Sequence, residues 1–193
     1  MNRTEIPFER VAARKVGLVA DTHSTKPDGS DVPDAVLVAL RGVDLIVHLG
    51  DMGAAGALDR FATVAPVLAT RGSHAVGDDS RIAPYARIVE ANGHTLGALF
   101  DLTQAESSIR VGEALELPAK PLRPLLHSVF GRDVDIVAFA ATHRPLLLRK
   151  DGILFVNPGS PNLPAKGPGT VAILDLITPE PRVEIRSIEG ARP

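Results

Sequence analysis

Four short apolar runs constrain the fold of this chain more than any other feature: "KVGLVA" (15–20), "DLIVHL" (44–49), "PVLAT" (66–70) and "DIVAFA" (135–140). Each has the length of a strand and none alternates apolar with polar, the pattern of strands covered on both faces. Between the first two, "DVPDAVLVALRG" reads as a helix: Asp31 can cap it, Pro33 falls in its first turn and Gly42 can end it. "AAGALDRFATV" is a second helix candidate, between the second and third runs. This β-α-β-α-β alternation predicts a largely parallel sheet with crossover helices.

The second half changes character. "ARIVEA" and "HTLGALF" flank Asn92-Gly93, while "PLLLRK" and "ILFVN" flank Asp151-Gly152; both dipeptides favour two-residue hairpin turns. "GTVAILDLI" and "RVEIRSI" flank a "TPEP" turn, and "PLRPLLHSVFG" (121–131) reads as a helix before the 135–140 strand. A mixed α/β protein with a second, more antiparallel sheet is expected. Residues 101–120 show no clear period and are expected to form an excursion or mobile loop.

Composition narrows the function. At 193 residues, 45% hydrophobic and 23% charged, the chain is expected to be one domain over residues 1–193. A net charge of -2 gives no basic stripe for bulk binding of nucleic acid. With no cysteine, a disulfide, a thiolate metal site and a cysteine nucleophile are excluded, so any metal must use nitrogen and oxygen. The N-terminal "MNRTEIPFERVAARK" is charged throughout, and no run approaches the roughly 18 apolar residues of a membrane span. No membrane association and a cytoplasmic location are therefore expected.

Each buried run ends in chemistry. Asp21-Thr22-His23 follows the first, Asp51 the second, Arg71-Gly72-Ser73-His74 the third and His143 the fourth. In open α/β sheets sites form outside the carboxyl ends of the strands, so two carboxylates and two or three imidazoles would converge on one rim. Oxygen and nitrogen donors of this kind suit a divalent ion such as manganese, iron or zinc. Asp21 and Asp51 would repel one another without a cation between them.

In order and spacing, "DTH", "GD", a Gly turn in place of "GN(H/C)D", "TH" in place of "GHTH", and "NPGS" at Asn157–Ser160 resemble the calcineurin-like metallophosphoesterases. Length and the "NPGS" strand end are most similar to the small phosphodiesterase branch that includes a retromer scaffold subunit. The resemblance spans Lys15 to Ile188 and implies two face-to-face sheets with helices outside and a two-metal centre at the rim. It implies that Asp21, His23, Asp51 and His143 hold one divalent ion. At the second site it puts Ser73, Phe100 and Ala141 where the family has Asn and two His, so the second set of ligands is expected to be lost. A rival register would make Asn92 or His94 a ligand, but Asn92-Gly93 is the better hairpin turn.

The same resemblance suggests His74 as the general acid that protonates the leaving group, beside Asp51. Arg71 and Arg144 flank the rim as candidates for phosphate contact, the alternative being solvated surface arginines. His48 reads as a packed core histidine, Phe100 as core or as a ring filling a second ion's place, and His127 as a helix-face residue without a nameable partner. "GDMGAAG" lacks the spacing of a dinucleotide loop. Three functions follow: a one-metal phosphoesterase acting on a small phosphate ester, a catalytically inert phosphoesterase-fold scaffold for a protein partner, or a sensor that holds an anion on its metal. The intact first site with His74 favours the enzyme.

Overall fold

The computed structural model describes residues 6–74 and 76–188; residues 1–5, 75 and 189–193 of the expected single domain lie outside the described residues. In chain order the strands are β1 (Phe8–Val11), β2 (Lys15–Val19), β3 (Leu45–His48), β4 (Val67–Thr70), β5 (Ile82–Ala83), β6 (Ala86–Ala91), β7 (His94–Leu99), β8 (Arg110–Val111), β9 (Leu115–Glu116), β10 (Ile136–Ala138), β11 (Pro145–Lys150), β12 (Ile153–Pro158), β13 (Gly169–Asp175) and β14 (Arg182–Ile188). The helices are α1 (Asp34–Ala39), α2 (Gly56–Ala62), α3 (Leu102–Ala105) and α4 (Leu122–Phe130).

Two six-stranded sheets result, ordered β14-β13-β2-β3-β4-β5 and β1-β6-β7-β10-β12-β11. The apolar runs form β2, β3, β4 and β10, and β2-α1-β3-α2-β4 is the expected parallel crossover unit. Asn92 and Gly93 take φ of 46° and 81°, and Asp151 and Gly152 take 53° and 74°. Positive φ at both central residues is what a type I′ hairpin turn requires.

Three apolar layers hold the sheets. Leu18, Val47 and Leu49 meet Val89, Leu96 and Val156 between the sheets. Outside the first sheet, Val36 of α1, Leu40 at its C-cap, and Leu58 and Phe61 of α2 pack on Val19 and Ile46. Leu125 and Val129 of α4 cover Ile88 and Phe155 of the second. The result is a mixed two-sheet α/β sandwich flanked by helices.

Two expectations are corrected, and residues 101–120 and His127 gain a definite place. The second sheet is not the more antiparallel one, because each sheet has three parallel and two antiparallel pairings. The β13–β14 hairpin extends the first sheet, whereas β1 adds parallel to β6 at the edge of the second. Asp31 does not cap α1: Pro33 holds the N-cap position, and the Asp31 carboxylate accepts from the Ser24 hydroxyl at 2.5 Å and the Thr25 amide at 2.7 Å. Residues 101–120 carry α3, capped by Asp101, and the β8–β9 ladder, anchored where Leu102 and Ile109 enter the core. His127 has a partner, Asp133, at 3.0 Å.

Candidate metal centre

The loops after β2 and β3 run on side by side. The amides of Asp21, His23 and Ser24 donate to the carbonyls of Gly50, Asp51 and Met52 at 2.8–3.0 Å, which carries both aspartates onto one rim. Between them His48 is fully buried. Its Nδ1 accepts from the Gly50 amide at 3.2 Å and its Nε2 meets the Thr22 hydroxyl at 2.7 Å, so it braces both loops as a neutral core histidine. Burial pushes its pKa down to about 3.

Donor atoms then line the rim in sequence. Asp21 Oδ1 lies 3.8 Å from His143 Nε2, His143 Nε2 3.3 Å from His23 Nε2, His23 Nε2 3.9 Å from Asp51 Oδ2, and Asp51 Oδ2 3.0 Å from His74 Nδ1. Two overlapping trios, Asp21-His23-His143 and His23-Asp51-His74, each gather donor atoms within 4.8 Å of one another. His23 belongs to both, while Asp21 and Asp51 fall in different trios.

The two carboxylates differ in kind. Asp21 is wholly buried, and neither of its oxygens makes a hydrogen bond of good geometry. Burial pushes its pKa up to about 7; the His143 ring pulls it down, Asp51 pushes it further up, and the nearby Ala141 and His143 amides pull it down. Burial would raise Asp51 too, but the His74 amide, the Ser73 hydroxyl and the His74 ring hold it below the usual carboxylate range. The first two donate at 3.1 Å and 2.9 Å. Burial lowers the pKa of His23, against the pull of Asp51, favouring the neutral ring that a cation can use. A buried carboxylate without a well-formed hydrogen bond, facing imidazole nitrogens, suits a divalent cation: the donor set fits a metal of the manganese, iron or zinc kind.

Backbone strain is concentrated here. Among the described residues seven non-glycine positions have positive φ; two are the hairpin residues, and the other five are Asp21, His23, Asp51, Ala141 and His143. Such conformations persist only where surroundings enforce them. The enforcing groups come from the "NPGS" turn and the residues just after it, whose structural part the sequence did not reveal. Asn157 donates to the Ala140 carbonyl at 3.0 Å and the Thr142 hydroxyl at 3.1 Å. Ser160 donates to the Asp21 carbonyl at 2.7 Å, and Asn162 to that of Thr22 at 2.8 Å. His143 Nδ1 is bonded to the Leu163 carbonyl at 2.7 Å, which turns Nε2 toward the rim.

The remaining candidates are placed as follows. Arg71 lies beside the site with Nη1 on the Val76 carbonyl at 3.0 Å, and Arg144 pairs with Glu113 at 3.1 Å. Ser73 and the Phe100 ring stand against the Gly50–Asp51 loop, and the Ala140 amide bonds the Phe100 carbonyl. His94 sits by the Asn92-Gly93 turn, bonded to the Thr178 carbonyl at 3.2 Å, and takes no part in the rim.

Two mixed sheets face to face, with carboxylates and imidazoles at the strand ends, define the architecture of a metallophosphoesterase. The chain belongs to the calcineurin-like phosphoesterase superfamily, whose domain model matches residues 15–178. It is 28% identical over 164 residues to a "Probable metallophosphoesterase" of Methanothermobacter thermautotrophicus, covering 83% of this chain and 85% of that one. Its fold is that of Vacuolar Protein Sorting 29 from Cryptosporidium parvum (TM-score 0.62, 16% identity, 91% and 98% of the two chains covered). It is also similar to a structure described as a novel archaeal phosphodiesterase (TM-score 0.58, 19% identity, 89% and 99% covered). Among the described residues no helix is long and apolar enough to cross a membrane.

Proposed function

We propose that this single-domain chain is a metal-dependent phosphoesterase acting on a small phosphodiester or phosphomonoester. In this reading Asp21, His23, Asp51 and His143 hold one divalent ion, and the second family site is degraded at Ser73, Phe100 and Ala141. One observation carries the reading: Asp21 is buried with neither oxygen in a hydrogen bond of good geometry, in a rim where His143 and His23 present ring nitrogens 3.3 Å apart. A cation relieves both the desolvated carboxylate and the facing nitrogens. When bound there, such an ion supplies Lewis acidity to a phosphoryl oxygen.

The protein's own groups supply the rest. Asp51 Oδ2 fixes the His74 ring through Nδ1, so that Nε2 on the far side of the ring can give its proton to a leaving oxygen. Arg71 and Arg144 flank the rim as phosphate contacts; Arg144 would exchange Glu113 for the phosphate.

The test is bound metal per chain, by mass spectrometry after manganese loading and removal of excess, compared with His143→Ala. About one ion, lost in the variant, is expected; none in either protein would overturn the enzymatic reading. A second reading, an inert scaffold that binds a protein partner, is supported by Ser73, Phe100 and Ala141 in place of ligands. Hydrolysis abolished by Asp51→Asn separates the two.

A further inference from the structure

The excursion formed by residues 101–120 returns to the rim. Its base is tied down, since Leu102 and Ile109 enter the core and the Lys120 ammonium meets the Glu106 carboxylate at 3.3 Å. Its tip is held by less. The β8–β9 ladder has two residue pairs, Arg110 with Glu116 and Val111 with Leu115, and joins neither six-stranded sheet. A Cβ on Gly112 in the turn would meet nothing within 4 Å, so that part of the turn stands clear of the body. From this turn Glu113 reaches Arg144, whose Nη1 donates to its Oε1 at 3.1 Å.

We propose that Glu113 is an internal competitor for the anion at Arg144: its carboxylate holds the guanidinium until a phosphate displaces it, and the β8–β9 turn is then released. The proposal deepens the phosphoesterase reading and rests on it for the phosphate at Arg144.

Position supports this first. Arg144 follows His143, whose Nε2 lies in the rim 3.3 Å from that of His23. Hydrogen bonding divides Arg144 into a fixed part and a free one. Its amide donates to the Thr142 hydroxyl at 3.4 Å, and that hydroxyl also accepts from Asn157. Among the described residues its guanidinium has Glu113 as its one hydrogen-bond partner, so the side chain can change partner while the backbone stays.

Exposure makes the exchange feasible. The Glu113 side chain is 89% exposed and that of Arg144 39%, so opening the pair leaves neither charge in a dry site. Exposed ion pairs are weak, and a phosphate offers the guanidinium two oxygens in place of one carboxylate contact. The carboxylate is tethered, however, and its high local concentration means that every anion using Arg144 must displace it.

The experiment is calorimetric titration of inorganic phosphate into the full, zinc-loaded chain and its variants, with the amide resonances of Gly112 and Ala114 followed alongside. Glu113→Gln should bind phosphate about threefold tighter than the parent. Arg144→Ala should bind it more weakly, and adding Glu113→Gln to that variant should restore nothing. Glu116→Gln, which removes the same charge from the same hairpin, should stay within about 1.5-fold of the parent. Without phosphate, Glu113→Gln and Arg144→Ala should each move the Gly112 and Ala114 resonances toward their positions in the phosphate-saturated parent. The proposal is overturned by a gain below about 1.5-fold, by an equal gain from Glu116→Gln or in the Arg144→Ala background, by unmoved resonances, or by no bound phosphate in any chain. Hydrolysis of nitrophenyl phosphate, assayed in parallel, separates the two readings. The expected binding results without hydrolysis keep the competitor and remove only the enzyme, and hydrolysis without them does the reverse.

Discussion

The His143 Nε2 nitrogen stands 3.8 Å from Oδ1 of Asp21, yet neither oxygen of that buried carboxylate makes a hydrogen bond of good geometry. The pair is arranged for something between or beside its members. The usual Asp value of 3.8 is pushed up to about 7 by burial, so in the metal-free chain the folded state holds a proton that the unfolded state has released. Stability of the metal-free chain should therefore fall as pH rises from about 4 through about 7. Asp21→Asn removes the buried charge: its metal-free melting temperature near pH 8 should exceed the parent's by about 2–4 °C, with no further rise on adding manganese. A less stable variant under those conditions would refute this account of Asp21.

Asn157 should matter to both stability and metal. Its side chain is fully buried and serves the Ala140 carbonyl, the Thr142 hydroxyl and the Gly159 amide. Asn157→Ala strands buried backbone groups and should cost roughly 2–3 kcal/mol in urea denaturation. Freed from Asn157, the strained Ala141–His143 turn should relax, and calorimetry should show weaker manganese binding.

Gly72 is the closest approach in the site. A Cβ there would lie 2.0 Å from Asp51 Oδ1 and 2.1 Å from the Asp51 amide nitrogen, a contact with backbone that cannot swing away. Gly72→Ala should cost about 1–3 kcal/mol and displace Asp51 from the rim, lowering metal occupancy. Gly77→Ala, whose Cβ would meet nothing within 4 Å, is the control and should change stability by less than about 0.5 kcal/mol.

His48 sets an acid limit. Its ordinary pKa of 6.5 falls to about 3 in the fold through burial, so acid protonates the unfolded chain first. The contribution is complete above about pH 6.5 and should shrink by roughly 3 kcal/mol by about pH 4. His48→Gln should flatten that part of the stability profile; an unchanged slope would mean that other groups carry it.

Turnover should separate His74 from the ligands. If Nε2 protonates the leaving oxygen, His74→Ala should lower hydrolysis of alkyl phosphate esters about a hundredfold while sparing nitrophenyl esters, whose leaving group needs no proton. Equal losses on both substrates would remove the general-acid role.

Sheet-forming runs, crossover helices and both type I′ hairpins were legible because each depends on neighbours in sequence: period, turn dipeptide and breaker. β1 was not legible, since "FERV" lies in a charged segment. Its Glu9 and Arg10 are accommodated by Arg87 and Glu90 on β6, which sequence proximity could not reveal. Asp31 was misplaced for the same reason, as Ser24 and Thr25 compete with the helix end for its carboxylate.

The candidate site divides in the same way. The sequence by itself determined which side chains could reach the rim, because a residue just after a buried parallel strand must emerge at its carboxyl end. Only the tertiary structure decided their condition: that Asp21 is buried without a well-formed hydrogen bond, that Asp51 is held by Ser73 and His74, that Arg144 pairs with Glu113, and that Asn157, Ser160 and Asn162 enforce the strained turns. Desolvation and hydrogen bonding are properties of what surrounds a group, and here the surroundings arrive from segments up to 140 residues away.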